Sequence, residues 1–162
     1  MSDDVHGLYL VLTNYGDRDF ARFLRRSFAR SLGVSRELLD RPVVGIAMTP
    51  SGFNNCHRYM PDLVEAVSRG VLAAGAMPMP FPTVSLGEVF LNPTSMMYRN
   101  LMAMDTEEMI SAQPMDSVVL IGGCDKTVPA QLMGAASANV PAIQVVTGPM
   151  STGRHKGQRL GA

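Results

Sequence analysis

A chain of 162 residues that is 46% hydrophobic and 17% charged is long enough to bury one real core and too apolar to be disordered. Its formal net charge of zero argues against a nucleic-acid binder, and no apolar run approaches the roughly 20 residues needed to span a bilayer. The opening MSDDVHG is acidic where a secretory signal is basic, so the expectation is a cytoplasmic protein with neither a nucleic-acid nor a membrane partner.

Residues 17–33, DRDFARFLRRSFARSLG, predict the first helix. Phe20, Phe23, Leu24, Phe28 and Leu32 recur at helical spacing, with Asp17 placed to cap the start and Gly33 to stop it. Arg22, Arg25, Arg26 and Arg30 fall between them and read as a solvated or subunit-facing side, not an anion site. Residues 1–41 are thus expected to form an N-terminal helical arm. VVGIAMTP (43–50) then predicts a short strand, and residues 61–76 a helix with Pro61 in its first turn. PFPTVSLGE (80–88) predicts a second strand, pushed to a sheet edge by its prolines. Residues 94–112 predict a helix in two pieces, the second started by a capping box over Asp105–Glu108. SVVLIGG (117–123) is the continuous apolar run of a strand buried on both faces. TVPAQLMGAASAN (127–139) predicts a helix and AIQVVTGP (142–149) another buried strand. The last stretch, TGRHKGQRLGA, is polar and glycine-rich and predicts a loop with no closing element, as in a fragment. The alternation implies an α/β fold over residues 42–162, a mainly parallel sheet with helices on both faces. Thirteen methionines and no tryptophan fit irregular packing or a buried interface, not a cofactor box.

Open α/β sheets bind ligands beyond the carboxyl ends of their strands. Those ends carry Asn54, Asn55, Cys56 and His57, then Ser85 to Glu88, then Gly122 to Lys126, then Thr147 to Pro149. Both cysteines and two carboxylates therefore fall at one edge of one sheet. Thiolates select zinc or iron–sulfur and carboxylates suit Mg²⁺ or Mn²⁺, so the mixture suggests two inorganic centres side by side. Two cysteines in such a chain are more often reduced, catalytic or metal-binding than disulfide-bonded. A buried Cys124 and an Asp125 that merely caps a helix remain the plain alternatives. His57 and His155 lack metal-ligand spacing and read as incidental. Lys126 has no lone pair as an ammonium and ligates a metal only if neutral or converted to a carbamate. GGCDKT is not a phosphate loop, because Asp125 precedes the lysine and would repel phosphate. Cys56 and His57, adjacent on an extended loop, point apart and make a poor catalytic dyad.

The strings GLYLVLTNYGDRDFARFLRR, NNCH, FPTVSLGE, NPTSMMYRNLMAMDTEEMI, GGCDKTVPAQLMGAASANVPAI and TGPMSTGRHKG resemble the N-terminal part of the dihydroxy-acid dehydratase / 6-phosphogluconate dehydratase family. The resemblance runs from about Leu8 to the end, and GGCDKTVPAQ with SLGE is highly specific. SLGE followed by PTSMMYRNLM is more similar to the sugar-acid (aldonate) dehydratase branch than to the branched-chain amino-acid branch. The resemblance implies loss of water from a 2,3-dihydroxy acid, giving an enol that tautomerises to a 2-keto-3-deoxy acid. It implies Mg²⁺ on the substrate carboxylate and 2-hydroxyl, and a [2Fe–2S] cluster on three cysteines whose open iron position meets the departing 3-hydroxyl. Carried over residue by residue, Cys56 and Cys124 resemble two of the cluster ligands, and Glu88 and Asp125 resemble Mg²⁺ ligands. Lys126 resembles the lysine that is carbamylated and then binds Mg²⁺, and it stands as the catalytic residue of this chain. Gly122 and Gly123 would let the backbone approach the cluster. The implied partners are a small sugar-acid substrate and, at full length, further copies of the same chain in a homo-oligomer.

The third cluster cysteine has no counterpart among the two cysteines here. The further Mg²⁺-ligating glutamate, the serine base and a C-terminal β-barrel domain belong to later regions of the family. Residues 42–162 are therefore expected to be a truncated cluster- and Mg²⁺-binding domain, and the chain alone an incomplete catalyst. Two other classes compete: a non-catalytic α/β binding or assembly domain, and a zinc-dependent hydrolase using both cysteines with His57 or His155.

Overall fold

The computed structural model describes residues 5–160. Its centre is a four-stranded parallel sheet in the order β2-β1-β3-β4, made of β1 (Val43–Met48), β2 (Met77–Pro82), β3 (Ser117–Gly122) and β4 (Ala142–Val146). The helices are α1 (Arg18–Ser31), α2 (Met60–Ala73), α3 (Met96–Ala112) and α4 (Cys124–Ala138). The expected α/β architecture, with helices on both sheet faces and a helical N-terminal region, is what forms.

Strand periodicity decides which face each side chain serves. Val43, Ala47, Val118 and Leu120 point to one face, where they meet Ile110 of α3, Ala135 of α4 and Ala29 of α1. Ile46, Val119 and Ile121 point to the other, against Met60, Leu63, Val64 and Val67 of α2. Burying each such aliphatic side chain contributes about 1.5–3 kcal/mol, so β1 and β3, covered on both faces, anchor the sheet. The N-terminal segment is tied to the start of both strands by one carboxylate. Asp116 Oδ2 accepts from Gly7 N at 2.9 Å and from Val43 N at 2.6 Å.

The prolines of β2 do place it at an edge, where missing N–H groups cost no ladder bonds. β2 ends at Pro82, so SLGE is loop, not strand. β4 differs from expectation: it is the other edge strand, with Ile143 62% and Val146 57% exposed. An apolar run marks a strand but not its place in the sheet. α3 is one unbroken helix, because Asp105 caps nothing. Its Oδ2 instead accepts from Val84 N at 2.7 Å and pins the loop after β2 to α3.

α1 is capped by Asp17, whose Oδ1 accepts from Phe20 N at 2.8 Å. Its apolar stripe, however, faces outward: Phe23 and Phe28 are exposed and only Ala21 and Ala29 are buried. Arg25 and Arg26 turn partly inward, while Arg22 and Arg30 stay exposed as expected. Arg25 donates to Leu8 O and Val11 O, both at 3.0 Å, satisfying carbonyls that no helix or sheet serves. The last stretch also departs from expectation, for β5 (Gly153–His155) and β6 (Gln158–Leu160) close an antiparallel hairpin across Lys156 and Gly157, both at positive φ.

α3 and α4 pack backbone to backbone at Gly134. A Cβ there would stand 2.6 Å from Ala103 O and 2.8 Å from Thr106 Cβ. Gly134→Ala should therefore cost about 1–3 kcal/mol by forcing the two helices apart, read as a lower denaturation midpoint at unchanged m-value.

Candidate functional site

The loop after β1 is organised by two buried polar side chains. Asn54 precedes a 3-10 turn, Asn55–His57, and its Oδ1 accepts from Cys56 N at 3.1 Å. Its Nδ2 donates to Leu86 O at 2.7 Å, joining this loop to the one after β2. His57, only 2% exposed, reaches across to β3. Its Nδ1 donates to Thr49 O at 2.6 Å and its Nε2 accepts from Gly123 N at 2.9 Å, which assigns the neutral Nδ1-protonated tautomer. His57 is thus neither incidental nor free to ligate a metal. It is the cross-link between two strand ends.

The chain arrives at Gly123 with no room for a side chain. A Cβ there would stand 2.1 Å from Thr147 Oγ1 and 3.4 Å from Cys56 Cβ. Thr147 Oγ1 donates to Cys56 O at 2.8 Å, so the end of β4 also holds the first cysteine. α4 begins at Cys124, three residues earlier than expected, which puts Cys124, Asp125 and Lys126 in its first turn. Asp125 therefore lies inside the helix and is not its cap, the position before it being Gly123. Cys124 sits at φ +67°, a left-handed conformation that costs a non-glycine residue about 1–2 kcal/mol. The strained strand-to-helix turn aims its side chain at the top of the sheet, as such turns do for reactive side chains.

Cys124 Sγ points to Asn54 Oδ1 at 3.7 Å, the same oxygen that receives the Cys56 N–H. Both cysteines and Glu88 line one cleft of about 570 Å³, with Phe53, Phe90 and Met150 along its wall. Burial pushes the Cys124 thiol up to about 12, and the Cys56 thiol and the Asp125 charge add to it. A thiol so raised is a slow nucleophile at neutral pH, whereas coordination to a metal ion would deprotonate it outright.

The carboxylates gather on the cation. Lys126 Nζ donates to Glu88 Oε1 at 2.8 Å and to Asp125 Oδ2 at 2.7 Å, with the lysine side chain 13% exposed. Lys126 holds the Asp125 carboxyl below its ordinary range, and the two carboxylates, Asp125 first, hold the ammonium above its own. The bridging is strongest between those limits. It weakens as pH falls through the lowered carboxyl value and again as pH rises through the raised ammonium value. Lys126→Met should therefore move the Asp125 titration upward in a carboxyl NMR experiment, and an unmoved titration would contradict the pairing.

The structure thus unites the four sequence-identified elements: Cys56, Glu88, Cys124 and the Asp125–Lys126 pair. Ser85 and His155 stay out. Ser85 Oγ donates to Thr49 O at 3.0 Å, and His155 lies on the exposed hairpin. Asn54 and Thr147, present at the strand ends, emerge as the links between loops. Among the described residues, no three His, Cys, Asp or Glu side chains stand close enough together to hold a metal by themselves. Among the same residues, no helix is long and apolar enough to cross a membrane. His57→Ala would leave the buried Gly123 N–H unsatisfied and should cost about 1–3 kcal/mol in chemical denaturation.

Comparison with known proteins identifies the family of the chain. Residues 41–161 match the family described as dihydroxy-acid/6-phosphogluconate dehydratase N-terminal. The chain is 45% identical over 149 residues to L-arabonate dehydratase of Azospirillum brasilense, covering 91% of this chain and 26% of that protein. It is 45% identical over 141 residues to 6-deoxy-6-sulfo-D-gluconate dehydratase of Pseudomonas putida, covering 86% of this chain and 24% of the relative. A dihydroxy-acid dehydratase of Clostridium novyi matches at 38% over 145 residues, covering 86% of this chain and 26% of that protein. The chain spans about a quarter of the length of these curated relatives. With its thiols, carboxylates and lysine at the strand ends and its match from residue 41 to 161, the chain belongs to the dihydroxy-acid/6-phosphogluconate dehydratase N-terminal family.

Proposed function

We propose that this chain is the N-terminal part of a hydro-lyase that dehydrates a 2,3-dihydroxy sugar acid to a 2-keto-3-deoxy acid. The observation that carries this reading is the cleft edged by Cys56, Cys124 and Glu88, with Lys126 bound to Glu88 from the adjoining helical turn. Identity to the sugar-acid relatives, 45%, exceeds the 38% to the dihydroxy-acid relative and supports a sugar acid as substrate.

The donor chemistry fits two inorganic groups in part. Cys56 and Cys124 are soft ligands suited to the iron of a [2Fe–2S] cluster, and the third thiolate must come from outside this two-cysteine chain. Glu88 and Asp125 are hard oxygen donors suited to Mg²⁺, joined by Lys126 as its carbamate. When bound, these groups supply Lewis acidity toward the leaving 3-hydroxyl and charge neutralisation for the enolate that forms at C2. The residues themselves do the positioning. Asn54 Oδ1, which accepts from Cys56 N and faces Cys124 Sγ, and His57 fix the two thiol-bearing turns relative to each other, and Phe53 and Phe90, packed edge to face with centroids 5.8 Å apart, wall the cleft. Glu88 and Asp125 hold Lys126 protonated. A carbamate forms only on the free amine, so Lys126 takes up carbon dioxide only when another cation draws the two carboxylates away.

The test is the full-length protein, prepared without oxygen, supplied with Mg²⁺ and offered a panel of aldonic acids. Formation of 2-keto-3-deoxy acid is expected, with Lys126→Ala lowering kcat by about 10²-fold or more. The 162-residue chain alone should be inactive. Turnover by that chain, or an unimpaired Lys126→Ala enzyme, would overturn the assignment.

A further inference from the structure

We propose that Cys56 and Cys124 close a reversible intramolecular disulfide when no metal centre occupies their cleft, so the pair is a redox modification site as well as a ligand pair. That this bond would block loading of a cluster rests on the reading of both thiols as its ligands. The bond itself rests on geometry.

The two cysteines are 68 residues apart and sit on loops from different strands, yet the fold brings them to one oxygen. Asn54 Oδ1 receives the Cys56 N–H at 3.1 Å and the Cys124 thiol at 3.7 Å. Cys56 Cβ lies 3.4 Å from where a Cβ on Gly123, the neighbour of Cys124, would stand. Neither loop is free to drift. Thr147 Oγ1 holds Cys56 O at 2.8 Å, and His57 Nε2 holds Gly123 N at 2.9 Å. The pair is pre-gathered, so closing a ring adds little entropy cost. No other cysteine competes in this chain. Both thiols are partly exposed, and Cys56 borders a second cleft of about 670 Å³ beside Met150 and Leu160, which gives an oxidant two approaches to it.

The oxidant is a low-molecular-weight disulfide, RSSR. The Cys56 thiolate attacks one of its sulfurs, forming a Cys56–SR mixed disulfide and releasing RS⁻. The Cys124 thiol, losing its proton to solvent, attacks the Cys56 sulfur and expels the second RS⁻. Two protein thiols lose two electrons, RSSR gains them, and the protons appear on two RSH. Dithiothreitol reverses the sequence.

The reduced chain is exposed to oxidised glutathione, quenched in acid, alkylated and weighed. The expected product is lighter by two hydrogens, with the Cys56 and Cys124 peptides joined. At equilibrium with a fixed ratio of glutathione to its disulfide, it should be favoured at least about tenfold more in native buffer than in guanidinium chloride, where the open chain brings the thiols together only at a millimolar-scale effective concentration. Cys56→Ser and Cys124→Ser should each stop at a single glutathione adduct. Wild-type chain carrying two glutathiones and no joined peptide, or a joined product no more favoured folded than unfolded, overturns the proposal. The cluster reading is scored separately, by iron, sulfide and visible absorbance after anaerobic reconstitution of the reduced full-length protein. A missing cluster there sinks that reading and leaves the disulfide standing. A cluster without a joined peptide sinks the disulfide alone.

Discussion

One buried imidazole sets the geometry on which the candidate site depends. His57 accepts from Gly123 N and donates to Thr49 O, so the end of β3 and the end of β1 share a single ring. In the interior a hydrogen bond of this kind is stiff, because breaking it leaves a backbone group without water. Asn54 extends the same logic to the loop after β2, and Thr147 extends it to β4. Four strand ends are thereby tied into one polar lattice. The sheet below supplies a rigid base, since β1 and β3 bury apolar side chains on both faces. Function-bearing loops can then be irregular without being loose.

The start of α4 turns that lattice into chemistry. Gly123 passes between Thr147, Cys56 and His57, where any side chain would collide. The next residue, Cys124, takes the positive φ that redirects the backbone from strand to helix. A helix rotates about 100° per residue, so consecutive side chains leave in different directions. Cys124 goes to Asn54 and the cleft, Lys126 goes to Glu88, and Thr127 with Gln131 one turn later goes into the core. Residues of a single helical turn therefore serve three surroundings. Asp125 and Lys126 also stand at the end of the helix where the macrodipole favours negative charge, which suits the carboxylate more than the lysine. The lysine stays because two carboxylates outweigh the dipole at hydrogen-bond distance.

Much of this is legible in the sequence, for reasons that differ by element. β1 and β3 are legible because a strand covered on both faces must be apolar throughout. β4 carries the same pattern and lies at an edge, since apolarity reports affinity for burial and not what does the burying. α1 shows a clear periodic stripe, but the face turned toward this chain is chosen by Arg25 and the carbonyls of Leu8 and Val11. The Cys, Glu, Asp and Lys positions are legible through residue chemistry and the rule that ligands gather at strand ends. His57 and Asn54 are not, because a positioning residue has no signature of its own. Its meaning lies in backbone atoms tens of residues away.

The charge state of the lysine links the two halves of the proposed site. In this arrangement the thiol of Cys124 is raised partly by the Asp125 charge, while Asp125 is itself held low by Lys126. Any cation that takes over Asp125 and Glu88 therefore acts on the neighbouring sulfur as well as on the freed amine. It screens the negative charge that opposes a thiolate at Cys124, and it removes the partners that keep Lys126 protonated. Hard-ion binding on one side of the turn thus favours soft-ion binding on the other, without contact between the two ions. On the proposed reading, that coupling explains why a thiol, a carboxylate and a lysine stand in sequence at the mouth of a buried strand. Placed apart, each would lose the neighbour that sets its charge.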